Sequence, residues 1–248
     1  MARKGPGPPL TCVKCPRREG GVFCRLSRAE LRTLDRVKAS NTYVRGQVIF
    51  YEENAPLGAY CVFSGQVKLF RLGRGGRTRV VRIAGPGELI GLEAILTRQS
   101  YQATAEALED SLLCFVDKET LLQMIERSAG LGAELAKRLG RDLIRAEVKL
   151  HDMTDRPAEA RLASLLLDFQ RTYQALGRKG AFAMRLPRQM LAEAVGVATE
   201  TAIRILGQFE RKRLIVLRGS RVTVLKPEAL RRLEGVGAEP MRSGRLAV

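Results

Sequence analysis

The sequence has little of what enzymes and membrane proteins commonly need. Histidine occurs once, at His151, so a cysteine nucleophile would have no evident histidine base, which argues against a cysteine-dependent enzyme. No apolar run approaches the roughly 18 residues that span a bilayer. The polar, Pro/Gly-rich start lacks the apolar segment of a signal peptide. We therefore expect a cytoplasmic protein that is neither an enzyme nor bound in a membrane.

Acidic residues are scarce relative to basic ones. The 248 residues include 43 Lys and Arg against 26 Asp and Glu, which gives a formal net charge of +17. Such a surface attracts polyanions at long range, and nucleic acid is the first candidate. An arginine-rich genome would raise the basicity of every protein, so charge alone does not establish that the chain binds nucleic acid. The length suffices for two domains, each with its own core.

Three of the five cysteines lie in the Gly/Pro-rich segment 1–26, with the spacing Cys12-x2-Cys15-x8-Cys24. In a reducing compartment such clusters more often indicate metal or redox chemistry than structural disulfides. Three thiolates need one more ligand for a tetrahedral or cubane site, and Cys114 can provide it. Cys61 has apolar neighbours and is interpreted as a core cysteine. An iron–sulfur cluster, a zinc site or thiol switch, and cysteines without function all remain open.

The segment from about Thr42 to Val116 consists of short β-like runs separated by glycines. This spacing predicts an antiparallel sandwich or barrel rather than βαβ units. Just before it, Ser27 and Glu30 form the pattern of a capping box that starts a short helix. The predicted strands are Val48–Tyr51, Ala59–Phe63, Gln66–Phe70, Arg79–Ile83 and Ser111–Val116.

Residues 117–150 contain no proline and are predicted to form one long helix. It carries an apolar stripe with steps of three or four residues, which must be buried against a partner. Two such helices packed in parallel would form a dimer seam, and packing on the chain's own β-domain is the alternative. The stripe consists of Leu135, Leu139, Leu143, Ala146 and Leu150.

The C-terminal third has the pattern of a winged helix-turn-helix. A first helix with Pro187 at its first position runs to Val195, Gly196 makes the turn, and a second helix runs from about Thr199 to Arg211. On the second helix, apolar residues recur at i, i+3, i+4 and i+7, which predicts a buried stripe. That stripe is Ala202, Ile205, Leu206 and Phe209, and the opposite face carries Thr199, Glu200, Ile203, Arg204 and Gly207.

The exposed face of this second helix suits base reading in the major groove. Arg204 can donate two hydrogen bonds to guanine, and Glu200 can accept one from a cytosine amino group. Arg218 and Arg221 lie at the tip of the hairpin that follows and would contact phosphate, which positions the protein without reading sequence. A generic helical hairpin is the alternative interpretation.

The chain resembles the CRP/FNR superfamily of bacterial transcription regulators over nearly its whole length. The resemblance rests on Arg188-Gln189, Val195-Gly196, Glu200-Thr201, Arg204-Ile-Leu and the wing, and on Gly65, Gly85-Pro-Gly-Glu-Leu-Ile-Gly91 and the long helix. It implies an α+β fold with an N-terminal antiparallel β-roll of the cyclic-nucleotide-binding kind (27–117), a dimerisation helix (118–153), a C-terminal winged helix-turn-helix (154–235) and a basic tail (236–248). The implied DNA-binding residues are Arg188, Gln189, Thr199, Glu200, Thr201, Ile203, Arg204, Arg218 and Arg221.

The resemblance also implies a signal and partners. FNR proteins bind an oxygen-labile 4Fe–4S cluster, and the matching ligands here would be Cys12, Cys15, Cys24 and Cys114. Cyclic AMP is not expected, because residues 100–103 lack the arginine that would pair with its phosphate. Oxygen-sensing members place an acidic residue where this chain has Ala146, so we predict a dimer that persists without a cluster.

The leading hypothesis is therefore a homodimeric, sequence-specific regulator of transcription that binds double-stranded DNA, works with RNA polymerase and senses oxygen or redox state through a cysteine-ligated cluster. The alternative is a regulator of the same type without metal, controlled by another small ligand or constitutively dimeric.

Overall fold

The computed structural model describes residues 11–18, 21–73, 78–175 and 183–234. The chain divides into two compact units, residues 1–144 and 145–248. The basic tail at 236–248 lies outside the described residues. Within the described residues, no helix is both long enough and apolar enough to cross a membrane.

The first unit is built on two antiparallel sheets of four strands each. The strands are β1 (Ala39–Tyr43), β2 (Val48–Phe50), β3 (Gly58–Ser64), β4 (Val67–Leu72), β5 (Thr78–Ala84), β6 (Leu89–Ile90), β7 (Thr104–Ala107) and β8 (Ser111–Asp117). One sheet has the order β1-β8-β3-β6 and the other β2-β7-β4-β5, which confirms the predicted antiparallel β-domain. Each of the five predicted runs contains an observed strand, whereas β1, β6, β7 and the short helix α2 (Leu92–Thr97) were not predicted.

Helix α1 (Arg28–Val37) forms one wall of this unit's core. It begins with the predicted capping box, in which the Glu30 amide donates to Ser27 Oγ at 3.3 Å and the Ser27 amide donates to the Glu30 carboxylate at 2.7 Å. These bonds satisfy two amides that the helix itself leaves without acceptors. The helix buries Leu31 and Leu34 completely among residues of β3, β8 and α2.

The predicted single helix over 118–153 is two helices. Helix α3 spans Lys118–Arg127 and helix α4 spans Ala129–Asp155. Between them Ser128 has extended dihedrals, and its amide donates to the Met124 carbonyl at 3.0 Å. Its Oγ accepts from the Leu131 amide at 3.4 Å. One serine thus ends α3 and caps α4, a junction that serine favours because its side chain competes for backbone bonds.

Leu135 is wrongly assigned to the dimer seam. It is only 3% exposed and belongs to the core cluster of the first unit, together with Leu31 and Leu131. The remaining members of the stripe are exposed: Leu139 by 37%, Leu143 by 60%, Leu150 by 69%, with Ala146 also exposed. The first turns of α4 therefore pack on their own β-domain, and the apolar stripe that still lacks cover begins at Leu139.

The second unit contains the C-terminal part of α4 and seven further elements, which are α5 (Ala158–Ala175), β9 (Ala183–Arg185), α6 (Arg188–Val195), α7 (Thr199–Arg211), β10 (Ile215–Arg218), β11 (Arg221–Val224) and α8 (Pro227–Glu234). Helices α6 and α7 and the hairpin of β10 and β11 were predicted, whereas β9 was not. The three strands form an antiparallel sheet of order β10-β11-β9.

Candidate DNA-binding surface and thiol cavity

Helix α6 and helix α7 are joined by a tight turn at Gly196. This residue caps α6 with φ of 73°, in the left-handed region, which glycine adopts without the steric cost that a side chain brings. Helix α6 begins at Arg188, one residue later than the sequence predicted, and Pro187 occupies the N-cap. The proline has no amide hydrogen to leave unsatisfied there.

Helix α7 has the two faces that the sequence predicts. Ala202, Ile205, Leu206 and Phe209 are buried. Glu200 and Arg204 are exposed, Ile203 is 51% exposed, and Thr199 and Thr201 are half-buried. Among the described contacts, Glu200 and Arg204 form no ion pair with each other, although they lie one turn apart. Their charged ends therefore remain available to groups outside the protein.

The hairpin of β10 and β11 forms the wing. Arg218 and Arg221 are register partners at its tip, and both are exposed. Next to this tip, β10 is held to helix α7, because the Leu217 amide donates to Glu210 Oε1 at 2.8 Å. Glu210 was missed in the sequence because it looks like an ordinary exposed acid at a helix end.

Two predicted DNA-binding residues on α6 have partners within the domain. Arg188 Nη2 donates to the Gly219 carbonyl at the wing tip at 2.9 Å. Its Nη1 lies 3.5 Å from the Leu186 carbonyl. Burial lowers the pKa of this guanidinium, and Glu210 opposes that effect. Gln189 donates to Glu193 at 2.9 Å. Arg188 thus ties the wing to the start of α6, whatever it contacts on DNA.

A cavity in the first unit brings together four of the five cysteines. Cys12, Cys15, Cys61 and Cys114 line it, whereas Cys24 does not. Its wall is otherwise mainly apolar, with Val22, Phe23, Leu31 and Val116 among the lining residues, and three cations also border it: Arg17, Arg18 and Lys38. The structure thus places three of the four predicted ligands at one cavity and adds Cys61, which the sequence suggested was only a core residue.

The thiols come from two sources, the sheet and the N-terminal segment. Cys61 on β3 and Cys114 on β8 are direct register partners, and Ser40 Oγ lies 3.7 Å from Cys114 Sγ. Cys12 is anchored by its amide, which donates to Asp35 Oδ1 at 2.5 Å. Lys38 pairs with the same carboxylate at 3.6 Å. Helix α1 therefore holds the N-terminal segment against the sheet.

Burial raises the pKa of three of these thiols, those of Cys12, Cys61 and Cys114. Desolvation raises the pKa of Cys61 to about 12, with a smaller contribution from Cys114. Desolvation also raises the pKa of Cys114 and of Cys12, the latter aided by Asp35. Only a thiolate is a good nucleophile or metal ligand. The cavity thus disfavours thiol chemistry unless a cation or metal compensates the charge.

The predicted ligand set does not fit an iron–sulfur cluster as the residues stand. Cys24 lies in a single 3-10 turn (Val22–Arg25) and does not line the cavity that the other three cysteines border. In the described part of the chain, no three His, Cys, Asp or Glu side chains are already arranged to hold a metal ion. The chemistry of the cavity, with four thiols in an apolar wall, nevertheless suits a thiophilic metal.

Two residues near the positions compared with a cyclic-nucleotide site in the sequence, Glu88 and Tyr101, have partners within the protein. Glu88 accepts from Arg138 at 2.9 Å and from the Gly85 amide at 2.9 Å. Tyr101 stacks on Phe50 with ring centroids 4.0 Å apart and donates to the Gly58 carbonyl at 2.6 Å. The prediction that cyclic AMP is not the ligand stays a prediction.

Both units match known protein families. A model of the cyclic nucleotide-binding domain matches residues 40–128, and a model of the Crp-like helix-turn-helix domain matches residues 160–233. The cyclic AMP receptor protein of Thermus thermophilus is 34% identical over 164 residues, which cover 66% of this chain and 73% of the relative.

Relatives that align along more of the chain are less similar. The fumarate and nitrate reduction regulatory protein of Vibrio cholerae is 23% identical over 232 residues, 93% of this chain and 92% of the relative. Among solved structures, FixK2 of Bradyrhizobium japonicum has a TM-score of 0.71 at 23% identity and covers 82% of this chain and 100% of its own. This last likeness concerns the fold alone.

Proposed function

Because the chain belongs to the CRP/FNR family of transcription regulators, we propose that it acts as a homodimer that reads a specific DNA sequence and passes on an oxygen or redox signal. RNA polymerase is the partner on promoter DNA. The observation that supports specific reading best is the exposed face of α7, where Glu200, Ile203 and Arg204 stand outward over a buried apolar stripe.

Each of these three side chains has a different chemical use in the major groove. Arg204 donates two hydrogen bonds to guanine O6 and N7, and Glu200 accepts from the amino group of cytosine. Ile203 is apolar and suits contact with a thymine methyl group. Arg218 and Arg221 meet phosphates beside the groove, where they add affinity without discrimination.

The experiment begins with duplexes selected by the wild-type protein from a random-sequence pool, with affinity then measured against salt. Arg204→Ala should relax preference at one base pair, at a cost of about 1–3 kcal/mol for the selected base. Arg218→Ala and Arg221→Ala should weaken binding to all duplexes alike and lower the salt slope by roughly one per lost contact. Identical behaviour of the two classes would show the assigned roles to be wrong.

The signal would enter through the cysteines of the first unit. Support comes from the four thiols around one cavity and from the relatives that align over most of the chain, whose names refer to anaerobic or fumarate and nitrate regulation. The group proposed is an iron–sulfur cluster, which when bound supplies an oxygen-sensitive redox centre. The second candidate is a regulator of the same type whose cysteines bind no metal.

The signal would act by shifting a population of dimer states. Two recognition helices must lie about 34 Å apart to meet successive faces of the major groove. Whatever the first unit binds must favour one arrangement of α4, since a ligand shifts an equilibrium only by its difference in affinity for the two states.

An absorption spectrum and iron analysis of protein purified without oxygen test this part. A broad visible band that bleaches in air, with iron bound, supports the cluster. A colourless protein without iron removes the cluster from the proposal and leaves the DNA-binding regulator intact.

A further inference from the structure

We propose that Cys61 and Cys114 form a redox-sensitive disulfide bond in the metal-free chain, and that this bond acts on helix α4 through Glu88. The bond itself does not depend on the proposed function, whereas its effect on DNA affinity rests on that function. All five cysteines are free thiols in this structure, which therefore corresponds to the reduced form.

The two thiols face each other across neighbouring strands. Cys61 on β3 and Cys114 on β8 are register partners, in the regular part of the ladder that precedes the irregularity between Val62 and Ser64. Side chains of register partners lie on one face of the sheet, and both cysteines border the same cavity. Cα atoms of antiparallel partners lie about 4.5–5.5 Å apart, within the range of about 4.4–6.8 Å that disulfides span. The bond can therefore form without a change of strand register.

The surroundings of this pair suit a neutral bond. The cavity wall is mainly apolar, with Leu31 and Val116 among its residues, and a buried charge costs far more there than a neutral group. A disulfide carries no charge and needs no hydrogen bonds. The thiolate that must form on the way would be offset by Lys38, which borders the cavity, and by Ser40, whose Oγ lies 3.7 Å from Cys114 Sγ.

The N-terminal cysteines are less suited to this bond. Cys12 and Cys15 are held on a turn of their own, in which the Cys15 amide lies 3.4 Å from the Cys12 carbonyl. The Asp35 carboxylate binds the Cys12 amide and would repel a thiolate on the same residue. Cys24 does not line the cavity. The pair on the sheet is thus favoured by its geometry and by its electrostatic surroundings.

The oxidant is a peroxide small enough to enter the cavity, and hydrogen peroxide serves as the example. The thiolate of one cysteine attacks an oxygen of the peroxide, the O–O bond breaks, and a sulfenic acid forms while the departing hydroxide takes up a proton as water. The second thiol attacks the sulfenic sulfur and releases another water. In sum, two thiols lose two electrons and two protons, and one hydrogen peroxide becomes two waters.

The bond would act on α4 because β3 also carries the loop that α4 binds. A disulfide holds its Cβ atoms about 3.5–4.5 Å apart, whereas those of register partners start at about 4.5–5.5 Å, so β3 and β8 approach by roughly 1 Å. Val62, next to Cys61, donates to the Glu88 carbonyl at 2.9 Å and accepts from the Gly87 amide at 2.8 Å. The Glu88 carboxylate in turn accepts from Arg138 of α4 at 2.9 Å. A shift of β3 is therefore passed to α4 through two hydrogen-bonded contacts.

The first test maps the bond in full-length protein that has been reduced, freed of metal with a chelator and then treated with hydrogen peroxide. Trypsin cuts after Lys and Arg and so places each cysteine on a separate peptide, with Cys61 on 46–68 and Cys114 on 99–118. After free thiols are blocked, mass spectrometry should find these two peptides linked in most chains and separate again after dithiothreitol. Cys24→Ser is the matched control and should form the same link, whereas Cys61→Ser should not.

The second test measures affinity for a duplex selected by the reduced wild type. We expect peroxide to change the dissociation constant by at least about fivefold in the wild type and in Cys24→Ser, which is the lower end of usual coupling between sites. Dithiothreitol should reverse the change, and Cys61→Ser should not respond. Arg138→Met should keep the linked peptides and lose the response, because the contact from Glu88 to α4 is removed.

Three results would overturn the proposal. Peptides 46–68 and 99–118 remain unlinked in the oxidised wild type, or the link joins other cysteines, or the bond forms and DNA affinity does not change. The peptide map of the wild type and Cys24→Ser decides the first two even where Cys61→Ser does not fold. A reduced protein that binds no duplex would instead refute the proposed function, and the peptide map would still test the bond.

Discussion

The exposed stripe on α4 gives the clearest quantitative prediction, because two of its leucines differ in surroundings. Leu135 is 3% exposed and packs in the core of its own unit, whereas Leu143 is 60% exposed. We expect Leu135→Ala to destabilise the isolated chain by about 2–5 kcal/mol, since it leaves a cavity in a packed core. Leu143→Ala should change the unfolding of the isolated chain by less than about 0.5 kcal/mol.

The stability of the dimer, in contrast, should depend on Leu143. Fully burying a leucine contributes about 1.5–3 kcal/mol, and the exposed 60% of Leu143 leaves about 1–2 kcal/mol of that available to a seam. In a two-fold dimer each substitution occurs on both copies, so the loss would be about 2–4 kcal/mol. That corresponds to a roughly 30- to 900-fold rise in the dimer dissociation constant.

Sedimentation equilibrium over a range of concentrations measures the dimer dissociation constant. Urea unfolding at concentrations where the chain is monomeric measures the free energy of unfolding of the isolated chain. Leu72→Ala is the matched control, because Leu72 lies on β4 and is 62% exposed. If Leu143→Ala dissociates the dimer no more than Leu72→Ala does, Leu143 is not at the seam and the reasoning from exposure fails.

Three further predictions concern the dimer, the wing and the first helix. Metal-free protein should remain dimeric at micromolar concentration, because Ala146, at the predicted seam, carries no charge; a monomer in sedimentation would refute this. Arg188→Met should weaken binding to all duplexes without lowering the salt slope, because its guanidinium holds the Gly219 carbonyl; a slope reduced by about one would instead indicate a phosphate contact. Hydrogen bonds from Ser27 lower the pKa of Glu30 from 4.5, so this carboxylate stabilises the fold above pH 4.5 and the contribution is lost as the pH falls through the lowered pKa. Glu30→Ala, which removes the hydrogen bond back to the Ser27 amide, should then lower the free energy of unfolding in urea more at pH 7 than at a pH where the carboxyl is protonated, and an equal loss at both would contradict the capping role.

The sequence predicted the recognition helix well because its faces depend on local periodicity. Ala202, Ile205, Leu206 and Phe209 share one side of α7 through the geometry of the helix itself, and a hydrophobic stripe must be buried in whatever fold surrounds it. Glu200, Ile203 and Arg204 then face outward by the same rule. The wing follows similarly, since Gly219 and Ser220 between two β-branched runs predict a hairpin.

Periodicity could not show which partner covers an apolar stripe. Leu135 and Leu143 fall on the same face of α4 by spacing, yet only the first packs on the β-domain. Both leucines lie on one continuous helix, and only its first turns contribute to the core cluster, through Leu131 and Leu135. The helix boundary at Ser128 was not predicted either. A serine inside a run without proline gives only a weak signal for a helix boundary, because serine is tolerated within helices.

The cysteines around the cavity show the same limit of prediction from sequence patterns. Spacing along the chain grouped Cys24 with Cys12 and Cys15 and left Cys61 among its apolar neighbours. Strand pairing, which joins residues far apart in sequence, places Cys61 opposite Cys114. Cys24 lies in a short 3-10 turn and does not line the cavity. Whether Cys61 borders the cavity depends on strand register, because shifting β3 by one residue would turn its side chain to the other face of the sheet.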